Sequence, residues 1–164
     1  MYPEMMKEMG AAKSLASPAL AEALAEVLSN TVVMSFKAQG HHWNVVGPDF
    51  TEYHGFFATI YGDTFSAIDT LAEDIRKCEM MAPYTMYQFS KLSSIEDIEC
   101  GGNPMLMCKD LLNANAVTLS SIVDAFAIAN QENRQGIADD LAARAGMHEK
   151  WDWQLKSHLA QAGI

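Results

Sequence analysis

The stretch that decides the fold is HHWNVVGPDFTEYHGFFATIYGDTFSAIDTLAEDI, residues 41–75. Gly47-Pro48 interrupts it near its start, and such pairs mark turns. Asp49 follows as a candidate N-cap with Glu52 three residues later, a pattern that predicts a capping box and a helix. The apolar positions after it recur every three or four residues, as on one helical face: Tyr53, Phe57, Ile60, Thr64, Ile68, Leu71 and Ile75.

An earlier helix is predicted to begin at Ser17-Pro18, because serine is a good N-cap and proline suits the first helical position. It is expected to run to about Gln39 or His42. Its stripe is formed by Leu20, Leu24, Val27, Leu28, Thr31 and Ser35. We expect residues 1–17 to form a flexible extension and residues 18–164 to form one domain.

Beyond residue 75, Pro83 predicts that the second helix ends near Met81. Residues 82–102 then form a long connection, in which residues 94–98 are expected to make one or two helical turns, since structureless loops of this length are uncommon. Asn103-Pro104 predicts the start of a third helix.

The third helix is expected to turn Leu112, Leu119, Val123 and Phe126 inward, and residues 130–136 form the next turn. The last helix is expected to stop before Gly163. Its stripe is Ile137, Leu141, Ala145, His148, Trp151 and Leu155. Four long helices with one long crossover in the middle indicate an all-α, ferritin-like four-helix bundle with a short helix in the crossover.

Composition narrows the function. Of 164 residues, 49% are apolar and 20% charged, an ordinary globular balance. The first residues lack the apolar core of a signal peptide, and no uninterrupted apolar run approaches the ~20 residues that span a bilayer, so we expect a cytoplasmic protein without a membrane role. The net charge of −10 repels phosphate backbones and attracts cations. Three cysteines have no paired spacing and are expected to be buried or idle thiols: Cys78, Cys100 and Cys108.

The candidate metal ligands are two histidines, His42 and His54, and two carboxylates, Asp69 and Glu73. The carboxylates lie four positions apart on one helix and so share a face. A mixed histidine and carboxylate set suits iron, and zinc or manganese less well. Each residue alone also has a structural explanation, as a solvated face, a helix cap or a turn residue.

One chain cannot gather all four ligands. His54 and Asp69 are fifteen positions apart on one helix, about 22 Å, whereas a metal–ligand bond is about 2 Å. A twofold axis near residues 63 and 64 would place His54 opposite Glu73 of a second copy. The small residues Gly62, Ala58 and Ala67 are expected near that crossing.

Residues 41–75 resemble the signature region of the Dps family, the ferritin-like mini-ferritins also known as DNA-binding proteins from starved cells. His42-Trp43-Asn44 is followed by Gly47, by a second histidine twelve residues after the first, and by Asp69-x-x-x-Glu73. The resemblance extends to the last helix, where Glu149-Lys150 and Trp153 match the family's C-terminal stretch.

The resemblance implies a hollow dodecamer with ferroxidase sites at its twofold interfaces. His42 and His54 would come from one subunit and Asp69 and Glu73 from its partner, with Glu73 bridging two metal positions. Ferrous iron would be oxidised, preferentially by hydrogen peroxide, and stored as a ferric mineral. The implied role is protection against oxidative stress, with zinc as a competing metal.

Some positions depart from the family or have two interpretations. The family usually has an aspartate four residues after the second histidine; here that position is Ala58, which leaves open a metal-binding cage with impaired oxidation. Asp63 is too far along the helix to replace it, and His41 is expected to point elsewhere. Trp43 is either an electron donor or, as we favour, a packing residue.

Two further features concern iron entry and DNA. Asp139 and Asp140, with Glu132 nearby, resemble the acidic lining of the family's threefold pores, or else they cap a helix. The termini lack the basic arm of members that condense DNA, so the alternative of a DNA-compacting stress protein is disfavoured. A monomeric bundle without a metal role is the remaining alternative.

Overall fold

The structure, a computed structural model, describes residues 14–161. The five helices of this part are α1 (Pro18–Asn44), α2 (Phe50–Lys77), α3 (Met86–Leu92), α4 (Pro104–Gln131) and α5 (Gln135–Gln161). Helix α1 packs against α2 and α4, and α4 packs against α5. The four long helices form the expected bundle, and α3 lies in the crossover between α2 and α4. No strand occurs among residues 14–161.

Two helix starts follow from local sequence. The Ser17 hydroxyl accepts a hydrogen bond from the backbone N–H of Leu20, and Pro18 stands at the first turn of α1. The Asn103 side chain accepts from the N–H groups of Met105 and Leu106 at the start of α4. Both predicted starts are therefore confirmed, and each cap satisfies backbone donors that have no partner inside the helix.

The predicted capping box at Asp49 is wrong. Asp49 has φ 60°, in the left-handed region, and its side chain makes no capping hydrogen bond. An N-cap side chain reaches the helix only from an extended backbone, and the turn beginning at Gly47 (φ 111°) leaves Asp49 in another conformation. Helix α2 also ends at Lys77, before the expected Met81, because Glu79 turns left-handed at φ 61°.

The short crossover helix lies at Met86–Leu92 and not at the predicted residues 94–98. Thr85 and Gln88 form the capping box that starts it. Residues 93 and 94 leave the helix because the Ser93 hydroxyl and the Ser94 N–H both donate to the Asn30 side-chain oxygen, at 2.9 Å each. The Thr85-x-x-Gln88 pattern could have located this helix.

The predicted inward face of α4 is wrong. Val123 (53% exposed) and Phe126 point outward in the single chain, and Leu112 and Leu119 are half-buried. The buried apolar face consists instead of Met107, Cys108, Leu111, Ala114, Ile122, Ala125 and Ala129. Small residues such as Ala114, Ala125 and Ala129 form part of this buried face. A prediction based on the largest apolar side chains of α4 therefore selected the wrong face.

The stripes predicted for the other long helices are confirmed. In α1 every predicted position is buried, and in α2 only Ile68 is half-buried. In α5, Ala145 is half-buried and the rest are buried. The bundle has two apolar clusters, one around Leu24, Leu71 and Leu141, the other around Phe57, Leu111 and Trp151.

Two helices of the bundle, α1 and α4, are long and apolar enough to cross a membrane by length and composition alone. Their apolar residues are nevertheless interrupted by polar and charged ones, such as Glu22 and Glu26 in α1. Both pack into the bundle as core helices of a soluble fold.

Residues 14–17 contact the bundle, although they fall within the predicted extension. Ser14 donates to the Glu79 carboxylate at 3.0 Å, and the Ser17 N–H donates to the Cys78 carbonyl at 3.2 Å. Residues 1–13 lie outside the described residues, so the domain boundary stays a prediction.

Candidate metal centre

His42 and His54 meet where α1 ends and α2 begins. The turn at Gly47 folds α2 back beside α1, and the two imidazoles stack with ring centroids 3.6 Å apart and planes 21° apart. His42 Nδ1 lies 2.7 Å from the His54 carbonyl oxygen, and His54 Nδ1 lies 2.8 Å from the His42 carbonyl oxygen. The backbone carbonyl of each histidine thus orients the imidazole ring of the other.

This exchange determines which nitrogen can bind a metal. A carbonyl oxygen only accepts, so each Nδ1 carries the proton and donates it. In the neutral ring the Nε2 lone pair is then free, and such a second hydrogen bond is what orients metal-binding histidines. Neither Nε2 has a hydrogen-bond partner among residues 14–161. The pair therefore offers two nitrogen atoms that are available as metal ligands.

Asp69 and Glu73 are exposed, one turn apart on α2. They lie about 22 Å and more along α2 from His54, and the single chain does not bring them to the histidines. The same helix exposes Gly62, and Phe65 is 69% exposed despite its size. The placement of Ala67 at the crossing is wrong, because Ala67 is buried in its own chain's core.

The residues around the missing carboxylate do not replace it. Position 58 is a half-buried alanine. Asp63 accepts two hydrogen bonds from Arg144, at 3.1 and 2.9 Å, and one from Trp151 Nε1 at 3.1 Å. Burial opposes ionisation of Asp63, but Arg144 and the indole N–H outweigh it, so the pKa of this carboxyl lies below its usual range. Both carboxylate oxygens of Asp63 are thus hydrogen-bonded to side chains of α5, so Asp63 does not replace the missing ligand at position 58.

His148 continues this network inside the bundle and is fully buried. Its Nδ1 lies 2.8 Å from the Asn115 side-chain oxygen, and the Asn115 amide donates to the His148 carbonyl at 2.9 Å. Burial, with the nearby Arg144 charge, lowers the pKa of His148 to about 3. His148 is a neutral core residue.

His41 points away from His42, as expected. Its Nε2 lies 2.8 Å from Asp110 Oδ2, and Lys37 Nζ approaches the same carboxylate at 2.9 Å. All three side chains are buried. His41 and His42 are consecutive in α1, yet His41 contacts the buried Asp110 and His42 contacts His54.

Trp43 does not fit the favoured packing interpretation within one chain. Its side chain is 60% exposed. The described contact is edge-on to Phe36, with centroids 6.2 Å apart. Its role stays open between an electron donor and a packing residue that contacts another subunit.

The acidic residues before and within α5 do not cap that helix. Its first turn contains no acidic residue, and Asp139 and Asp140 lie in the second turn. Glu132 accepts a hydrogen bond from the buried Ser17 hydroxyl. The pore lining stays a prediction for Asp139 and Asp140.

Comparison with known proteins agrees with this architecture. A family model described as a ferritin-like domain matches residues 21–163. The DNA protection during starvation protein of Brevibacillus brevis is 28% identical over 132 residues, which cover 80% of this chain and 89% of that protein.

Two solved structures are similar across most of the chain. The Dps protein of Vibrio cholerae O1, described as a member of a broad superfamily of ferritin-like diiron-carboxylate proteins, has a TM-score of 0.82 and 26% identity, covering 85% of this chain and 88% of that one. The Dps protein of Bacillus brevis has a TM-score of 0.81 and 28% identity, covering 85% and 94%. The chain belongs to the ferritin-like family and, within it, to the Dps proteins.

Proposed function

We propose that this protein binds ferrous iron, oxidises it and stores the ferric product in a cage, at sites that two subunits share. His42 and His54 of one subunit and Asp69 and Glu73 of its partner would form each site. The observation that carries the proposal is the histidine pair, whose Nδ1 atoms bind each other's backbone and leave both Nε2 atoms free.

The chemistry of these side chains suits ferrous iron as a substrate. Neutral imidazoles and carboxylates are ligands for iron at physiological pH. Two carboxylates favour the ferric over the ferrous state, because added negative charge stabilises the higher cation charge. Glu73 has two oxygens and can bridge two ions. The balanced reaction is two Fe²⁺, one H₂O₂ and two protons giving two Fe³⁺ and two waters.

Pairing two one-electron oxidations at one site reduces peroxide fully to water. A single ferrous ion would instead release a hydroxyl radical. The protective role against oxidative stress follows from this electron count. It requires two irons close together, and therefore both halves of the shared site.

The proposed assembly is the dodecamer typical of Dps proteins, in the cytoplasm. The exposed face of α2 that carries Gly62, Phe65, Asp69 and Glu73 would lie at the twofold contact. Asp139 and Asp140 would line the entry pores, where the net charge of −10 per chain attracts cations. Zinc shares the preference for these ligands and would compete.

A second candidate is a cage that binds iron but oxidises it slowly. Ala58 favours it, because the position one turn after His54 supplies no oxygen ligand and Asp63 is held by Arg144. The two candidates differ in oxidation rate and not in the location of the site.

The test is stopped-flow absorbance of the ferric product after anaerobic ferrous loading and a pulse of hydrogen peroxide. We expect fast, saturable oxidation by the wild type and a loss of about tenfold or more in Asp69→Asn, because a ligand is removed. Glu22→Gln removes an exposed carboxylate from α1 and serves as the control.

Two results would count against the proposal. Full activity in Asp69→Asn would refute the site assignment. Oxidation by the wild type at the protein-free rate would leave the binding cage as the better candidate.

A further inference from the structure

A second group of metal-ligating side chains includes His41, the neighbour of His42 on α1, which points in a different direction. One ligand atom each from His41, Cys100 and Asp110 lies within 4.8 Å of the other two. His41 comes from the last turn of α1, Cys100 from the crossover and Asp110 from α4. His41 is about sixty residues from the other two in sequence, and the fold brings it to them.

His41 and Cys100 line a cavity of about 480 Å³ that opens to solvent, and the buried Asp110 lies within reach of both. Glycines at positions 40, 101 and 102 line part of it, which leaves backbone room beside the ligands. Asp97 and Glu99 also line it, and their carboxylates add negative charge along the way in. A small cation can therefore reach His41 and Cys100 from outside, and this charge attracts it.

Lys37 shows that the site holds positive charge. Its Nζ lies 3.1 and 2.9 Å from the two oxygens of Asp110, and the side chains of both residues are about 5% exposed. A buried carboxylate needs a compensating charge. Lys37 supplies it here, on a long side chain that itself borders the cavity. A metal ion that binds Asp110 would take over this role and let the ammonium move into the cavity.

We propose that His41, Cys100 and Asp110 form a binding site for a divalent transition metal, with zinc as the preferred ion. A thiolate, an imidazole and a carboxylate are the ligand types of tetrahedral zinc sites. Cys100 gives up its thiol proton to solvent when the metal binds. The resulting thiolate and the Asp110 carboxylate balance Zn²⁺, and the cavity leaves the fourth position to water. Zinc bonds of about 2.0–2.3 Å place ligand atoms roughly 3.5 Å apart. His41 Nε2 and Asp110 Oδ2, now hydrogen-bonded at 2.8 Å, would separate slightly to admit the ion, and the Cys100 sulfur already lies within 4.8 Å of its two partners.

This site is separate from the proposed iron site, although His41 and His42 are neighbours. Its ligands all belong to one chain, so it does not need a partner subunit. Metal binding would tie the crossover to α1 and α4, because Cys100 is the ligand that belongs to neither helix. The proposal does not depend on ferroxidase activity.

Cobalt(II) titration under anaerobic, reducing conditions tests the site, because a cobalt–thiolate bond gives a charge-transfer band that histidine and carboxylate ligands do not. The background variant Asp69→Asn weakens the proposed iron site. We expect one cobalt per chain with this band, displacement by zinc, and a loss of affinity of about tenfold or more in Cys100→Ser. Cys108→Ala removes a buried core thiol and should keep the band.

A missing thiolate band in the parent, or a band that persists in Cys100→Ser, would overturn the proposal. Lys37→Met provides a second variant that tests the role of the cation. With Lys37 removed, Asp110 lacks its counter-charge, and we expect cobalt to bind more tightly. Unchanged or weaker binding in a folded Lys37→Met protein would contradict the view that Lys37 and the metal share one position.

Discussion

At the scale of single residues, the backbone around His42 and His54 fixes which ring nitrogens are available to bind a metal. Each imidazole donates to the carbonyl of the other residue, so the α1–α2 turn sets both ring orientations. Phe50 stacks on His54 with centroids 4.9 Å apart, and Tyr61 meets His42 edge-on at 5.3 Å. The pair is therefore ordered before iron binds, which lowers the entropy lost on binding.

Restoring the carboxylate at position 58 should strengthen the proposed iron site. Position 58 lies one turn after His54, so Ala58→Asp places an oxygen ligand on the same helical side. We expect ferrous affinity, measured by anaerobic calorimetry, to rise about tenfold or more. Thr59→Asp adds the same charge one residue further on, at an exposed position, and is the control. Equal gains in both variants would indicate a general charge effect.

His148 should make the protein sensitive to mild acid. Its pKa is about 3 in the folded state because of burial and Arg144, against about 6.5 when unfolded. Between these values the unfolded chain binds one more proton than the folded chain. The free energy of unfolding should therefore fall by about 1.4 kcal/mol for each pH unit below about 6.5.

Denaturant unfolding of the metal-free protein from pH 7 to pH 5 measures this loss. His148→Gln lacks the titrating group, and its curve should be flatter by about this slope. Asp63, whose pKa is lowered by Arg144, loses its stabilising charge only at lower pH. Parallel curves for the two proteins would contradict the assignment of the acid sensitivity to His148.

At the scale of helices and turns, the end of the crossover is hydrogen-bonded to the α1–α2 turn that carries the candidate metal centre. The Val46 N–H donates to the Gly102 carbonyl at 3.1 Å, so the end of the crossover holds the α1–α2 turn. A Cβ on Gly102 would lie 2.5 Å from Val46 Cγ2 and 3.2 Å from the Asn44 carbonyl oxygen. Glycine is required here by this close approach.

Gly102→Ala should lower the free energy of unfolding by roughly 1–3 kcal/mol, because the turn has to shift to admit the methyl group. Gly146→Ala is the matched control, since nothing lies within 4 Å of its added Cβ and alanine favours helix by about 1 kcal/mol. Thermal unfolding followed by circular dichroism compares the two. Equal midpoints would show that the turn accommodates the methyl group.

Features set by adjacent residues were predictable at this scale. Ser17-Pro18 and Asn103-Pro104 fix helix starts through their own side chains, and both predictions are confirmed. Asp49 failed because its conformation depends on the backbone of the whole turn. The face of α4 failed because the helix spacing, and not residue size, decides that Ala114 faces inward and Val123 outward.

The approach of His42 to His54 across the Gly47 turn was also predictable, whereas the assignment of the four residues to one shared site stays a prediction. The order and spacing of His42, His54, Asp69 and Glu73 carry the family resemblance. The sequence also shows that the length of one helix separates the histidines from the two carboxylates. The grouping of His41, Cys100 and Asp110 was not predictable, because it depends on how α1 packs against α4 and the crossover before it. The exposure of Phe65 also required the structure, although its absence from the α2 stripe was a signal.

At the scale of the whole molecule, charge and symmetry separate the functions open to a Dps protein. A net charge of −10 per chain multiplies in any homo-oligomer. It disfavours contact with phosphate backbones and favours the uptake of cations. The single chain presents the two halves of the proposed iron site far apart along α2, and for this reason the proposal assigns them to two copies related by a twofold axis.

Complementation between two inactive variants tests this claim most directly. His54→Ala and Asp69→Asn should each be inactive in peroxide-driven iron oxidation. In a mixed dimer, one site carries both substitutions and the other carries neither. Unfolding and reassembling the two variants together in equal amounts should therefore restore about one quarter of the wild-type rate, whereas each variant reassembled alone should stay inactive. No recovery from correctly assembled mixed cages would contradict a site shared between subunits.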